Sequence, residues 1–101
     1  MADWSSLSAR LHRTTGSEAA LDTALADALG LPSRAYTGSV EDARALAAAV
    51  LPEWRLHLGW GATGMFPYAR LSNNGAHIEA EAPTLPLAIL RAVATAASPT
   101  P

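Results

Sequence analysis

Gly59-Trp60-Gly61-Ala62-Thr63-Gly64 has the spacing G-x-G-x-x-G and follows a strand-like run. In a dinucleotide site the glycines let the backbone approach a pyrophosphate, and a helix opening at the last glycine offers its N-terminus to the anion. Glu79 and Glu81 stand near the spacing of the ribose-binding carboxylate. The next residues, Met65-Phe66-Pro67-Tyr68-Ala69-Arg70, read as strand and carry a proline, so the helix is missing. The glycines therefore read as a hairpin loop, and no cofactor is expected.

His57, His77, Glu79 and Glu81 share the polar face of the expected sheet and invite a metal reading. The expected pairing opposes it. His57 falls opposite Tyr68 or Arg70, whereas His77 falls opposite Ser72, two strand spacings away, roughly 10 Å. Ligands of one zinc must each come within about 2 Å of the ion. No metal is expected. His12 with Ser5, Ser6, Ser8, Asp3 and Asp22 supplies the residue types of a hydrolytic triad, but no nucleophile-elbow pattern accompanies them. Glu79 and Glu81 are about 7 Å apart along one strand face, a spacing compatible with acid–base chemistry. Arg70 is a ready partner for them. No catalytic residue is assigned, and the chain is not expected to be an enzyme.

The elements that position these residues are well marked. Asn74-Gly75 is a type I′ hairpin turn, which needs positive φ at both residues. It pairs Ser72 with His77, Leu71 with Ile78, Arg70 with Glu79, Ala69 with Ala80 and Tyr68 with Glu81. One face is then apolar (Ala69, Leu71, Ile78, Ala80, Ala82) and the other polar, and a slip of one residue would mix them. Trp54, Leu56, Leu58 and Trp60 continue the apolar face on the preceding strand. The expected fold is α+β: a three-stranded antiparallel meander (about 54–60, 66–72, 76–82) packed with helices (about 4–13, 17–29, 40–51, 85–96), in the order α-α-α-β-β-β-α. Asp3 caps the first helix and Gly16 ends it. Thr15-x-x-Glu18 is a capping box for the second, which stops at Gly30. Ser39 caps the third, Pro52 ends it, and Thr84 caps the last. Residues 1–97 form one domain and 98–101 a disordered tail.

With 101 residues, a formal charge of −2 and no Cys, the composition excludes several classes. Disulfides, thiolate metal sites and Cys nucleophiles are absent. There is no Lys, so no P-loop or Schiff-base lysine exists. No basic excess is available for phosphate contacts, and nucleic-acid binding is not expected. Arg without Lys and abundant Ala point to a GC-rich coding genome, as in a bacterium or its phage. The N-terminus has no apolar signal region and no run reaches membrane-spanning length, so the expected location is the bacterial cytoplasm.

Two surfaces are candidate protein contacts. Trp60, Met65 and Phe66 cluster around the glycine-rich loop; the alternative is that this loop folds its apolar side chains onto the core. Leu87 and Leu90, with Ala94, give the last helix a second apolar face, suited to self-association.

Several stretches in order carry a resemblance. They are Ala28-Leu29-Gly30, Tyr36-Thr37-Gly38-Ser39-Val40, Pro52-Glu53-Trp54, and Glu81-Ala82-Pro83-Thr84 running into Leu87-Ala88-Ile89. Over about residues 17–97 the chain resembles the phage αβα-sandwich domain, a family of small phage and prophage proteins. The segment 39–54 is longer than the family pattern, and the glycine before Trp54 is absent. The resemblance implies an antiparallel sheet with helices packed around it. It implies no cofactor or catalytic residue. Its phage setting implies an accessory protein that binds a host or phage protein, an antiviral defence complex such as a CRISPR effector being one such target. A self-assembling or virion-associated role and a small-molecule site on the polar sheet face are the other two expectations.

Overall fold

The computed structural model describes residues 3–61 and 64–98. Of the tail expected to be disordered, residues 99–101 lie outside the described residues, while Ser98 caps the last helix. The fold is α+β, with elements α1 (Trp4–Arg13), α2 (Ala19–Leu29), α3 (Val40–Val50), β1 (Arg55–Trp60), β2 (Pro67–Asn73), β3 (Ala76–Glu81) and α4 (Leu85–Ala97). The strands form one antiparallel sheet in the order β1-β2-β3. Asn74 and Gly75 have φ of 49° and 86°, as a type I′ turn requires. Every expected pair between β2 and β3 is formed. His57 lies opposite Arg70, and Leu56 and Leu58 lie opposite Leu71 and Ala69.

Local chemistry sets most helix ends. Asp3 and Ser39 side chains accept from the amides of Ser6 and Asp42. Gly30, at φ 65°, ends α2 in the left-handed conformation. Two expected caps are replaced. Helix α1 ends at Thr14 rather than Gly16, with the Thr14 hydroxyl donating to the Arg10 carbonyl and to Glu18. Helix α2 begins at Ala19 instead of residue 17, and Thr15 does not cap it. Glu18 takes the cap position, and its amide donates to the hydroxyl of buried Thr37, nineteen residues later in the chain. Thr37 in turn donates its amide and hydroxyl to Asp22, both at 2.7 Å. This network fastens the α2–α3 connector to the first turn of α2. Thr84 stands at the cap position of α4, but its hydroxyl makes no cap bond.

Helix α4 is the centre of the molecule. It packs against α1, α3, β2 and β3. Eight of its thirteen residues are buried, Leu87 and Leu90 among them at 0% and 1% exposure. A helix apolar all round is buried all round. The second apolar face of α4 is therefore core, and Leu87 and Leu90 offer no contact surface. The polar face of the sheet is left open: Arg55, His57, Arg70, His77, Glu79 and Glu81 are all exposed. The helices thus cover one face of the sheet only.

The single charged residue of α4, Arg91, is used structurally. Its guanidinium donates to the carbonyls of Leu11, His12 and Thr14 at the end of α1 and to that of Glu81 at the end of β3. Burial lowers its pKa from the ordinary value, though an arginine stays charged. Replacing it by Met keeps the stem and removes all four bonds. Arg91→Met is expected to lower unfolding free energy by about 2 kcal/mol, and Arg91→Lys to recover less than half of that. Urea denaturation checks it; an unchanged midpoint for Arg91→Met would mean the clamp adds nothing.

Candidate functional site

Strand β1 differs from its neighbours. Its apolar residues Leu56 and Leu58 are only half-buried, and none of its six residues is fully buried. Alternation assigns Trp60 to the core side, but it is 66% exposed. The reason is geometric: α4 lies across β2 and β3, and β1 runs out beyond it. Met65 (70% exposed) and Phe66 (43%) stand beside Trp60 at the same end of the sheet. The sequence left two alternatives for these three residues, a surface cluster or a loop folded onto the core; the structure has them exposed, and the assignment of Trp60 to the core does not hold. Trp54 is half-buried.

Two grooves flank the strand. One, of about 370 Å³, lies between α3 and β1 and is lined by Leu51, Pro52, Trp54 and Leu56, with Arg44 at its polar side. The other, of about 430 Å³, lies at the far end and is lined by Leu58, Trp60, Pro67, Pro83 and Leu85.

The backbone of β1 also has a free side. The Gly61 amide donates to the Phe66 carbonyl, which makes this a hydrogen-bonded pair. Bonded pairs alternate along an antiparallel ladder, so Gly59, His57 and Arg55 also bond inward to β2. Leu56, Leu58 and Trp60 then turn their N–H and C=O groups outward, and β1 has no second strand neighbour among the described residues. The opposite edge is guarded. On β3 the outward residues are His77, Glu79 and Glu81, and Arg91 already occupies the Glu81 carbonyl.

The polar face supplies no assembled chemistry. Arg70 donates twice to Glu79, at 3.0 and 2.8 Å, and its Cζ lies 5.8 Å from the Tyr68 ring centre. The hydrogen bond to Glu79, then its charge, raises the Arg70 pKa. His57 and His77 stand opposite Arg70 and Ser72, on different strands two spacings apart, and no group of three metal-ligating side chains assembles among the described residues. Gly59 lies in β1 and Gly61 closes the hairpin, while Ala62 and Thr63 of the G-x-G-x-x-G stretch lie outside the described residues. Beyond Gly64 the chain enters β2, so no helix opens there to receive a phosphate. On α1, His12 Nδ1 lies 2.8 Å from the Ser8 carbonyl, and Asp3 is spent as a cap. Sequence reasoning missed Arg91, Thr37 and the half-exposure of β1. A lone arginine in an otherwise apolar helix was the signal for the first.

Comparison of the chain with protein-family models, with curated proteins and with solved structures finds no match in any of the three.

Gly59 is the residue that lets the polar face close over β1. A Cβ there would come within 2.9 Å of the Tyr68 ring and hydroxyl, so the ring lies across the glycine. Gly59→Ala is expected to displace the ring and cost about 1 kcal/mol, and almost nothing in a Tyr68→Ala background. Equal costs in both backgrounds, measured by denaturation in a double-mutant cycle, would contradict the contact.

Proposed function

We propose that this chain is a protein-binding module without catalytic chemistry. It is read as an accessory protein of a phage or prophage that acts in the bacterial cytoplasm on a host protein, such as part of an antiviral defence complex. The observation that carries the binding reading is the exposure of Trp60, Met65 and Phe66 together, beside a strand edge with unused backbone groups. Large aromatic side chains next to an open edge suit partners that add a strand and seat apolar anchors. The phage setting rests on the sequence resemblance. A self-assembling role uses the same surface, and the unpaired edge of β1 favours it as the second reading.

A photo-crosslinking residue tests the surface. Placed at Phe66 in the bacterial host, it is expected to capture a defined protein, and Trp60→Ser is expected to reduce capture at least about tenfold without lowering thermal stability. The same residue at Asp27 on α2 is expected to capture none. Equal capture at Phe66 and Asp27 would refute a dedicated surface.

A further inference from the structure

We propose that two copies of this chain join through β1, antiparallel about a two-fold axis at Leu58, into one continuous sheet. This rests on the second, self-assembling reading of the β1 end and names its register. Three independent features meet in that one register.

The backbone comes first. An axis at Leu58 pairs Leu58 with the second copy's Leu58, and Leu56 with its Trp60. These are the residues whose N–H and C=O groups point away from β2, so each pair exchanges both bonds of an antiparallel ladder. Directly opposite residues share a face, and the apolar side of one copy continues into the apolar side of the other.

Shape is the second. Trp60 stands exposed at one end of β1, and the α3–β1 groove lies open at the other. The two-fold brings the indole of each copy against Leu56 of the other, beside Trp54 and the groove floor at Leu51. An exposed aromatic and a recess lined by Leu51, Trp54, Leu56 and Arg44 become each other's complement, as a symmetric interface requires.

Charge is the third. The same register sets Arg55 opposite Gly61 of the second copy, on the polar face. The Glu81 carboxylate lies over Gly61, its Oε2 3.3 Å from where a Cβ would be. Arg55 of each copy therefore meets Glu81 of the other, twice per dimer. Moving the axis to His57 instead sets His57 against itself and Arg55 against Gly59 beneath the Tyr68 ring, losing this pairing. The β3 edge cannot serve equally, because Glu79 and Glu81 would face a second acidic edge and Arg91 holds the Glu81 carbonyl.

The charge pair gives a test that folding defects cannot imitate. Sedimentation equilibrium of the full chain, from about 1 µM to about 1 mM, is expected to show a dimer. Arg55→Glu alone, or Glu81→Arg alone, creates like charges at both contacts and is expected to weaken the dimer at least about tenfold. An equimolar mixture of the two variants carries opposite charges at both contacts and is expected to restore dimerisation to within about threefold of the original chain. Trp60→Ser is expected to weaken it while circular dichroism stays unchanged. An original chain that remains monomeric throughout, or a mixture that stays as monomeric as its components, overturns the proposal. Neither result decides the wider binding reading, which capture of a foreign protein at Phe66 tests separately.

Discussion

The Arg91 guanidinium holds together three parts of the chain that are far apart in sequence. Among the described residues it forms no ion pair with a carboxylate. Its positive charge is satisfied by carbonyl dipoles, three of them at the C-terminal end of α1, where a helix concentrates negative potential. The fourth carbonyl ends β3. One side chain thus fixes the angle at which α1 leaves α4 and the point at which the sheet stops. The remaining packing is set by α4. Its apolar surface meets α1, α3, β2 and β3. Of the three strands, β1 alone is not among its main packing partners, and the exposed aromatic end of the molecule is the consequence.

The asymmetry of the sheet arises from the same arrangement. On the polar face, Arg70 bonds Glu79, and Tyr68 lies beside Arg70 and over Gly59. Those groups are satisfied among themselves in a solvated layer. At the β3 edge, acidic side chains and the Arg91 clamp discourage another strand. At the β1 edge nothing comparable stands: the strand has no proline, no lysine and apolar residues at every outward position. The two edges of the small sheet are therefore chemically distinct.

Local signals in the sequence were the reliable ones. Asn74-Gly75 and the period-two alternation assigned each residue of β2 and β3 its partner and face, because a tight turn leaves no freedom of register. Asp3, Ser39 and Gly30 ended helices by bonds to adjacent amides or by their own backbone conformation. The failures needed distant residues. Thr15 lost the start of α2 because Thr37 and Glu18 supply the bonds there instead. Trp60 alternates onto the apolar face, but alternation cannot say how far a covering helix reaches. Leu87 and Leu90 were legible after all: a helix apolar on every side is a central helix, and a second surface was the wrong inference from the right pattern.

The central place of α4 also constrains how the molecule can be made. A ribosome delivers α1, α2, α3 and the sheet before it delivers residues 85–97. Until then Leu11, Leu46 and Leu71 lack the helix they are buried against, and the apolar side of the meander faces water. The nascent chain must hold its hydrophobic stripes uncovered until α4 clears the exit tunnel, and then all of the layers consolidate in one step. A translational pause at any point between the end of β3 and the emergence of α4 would lengthen that exposure.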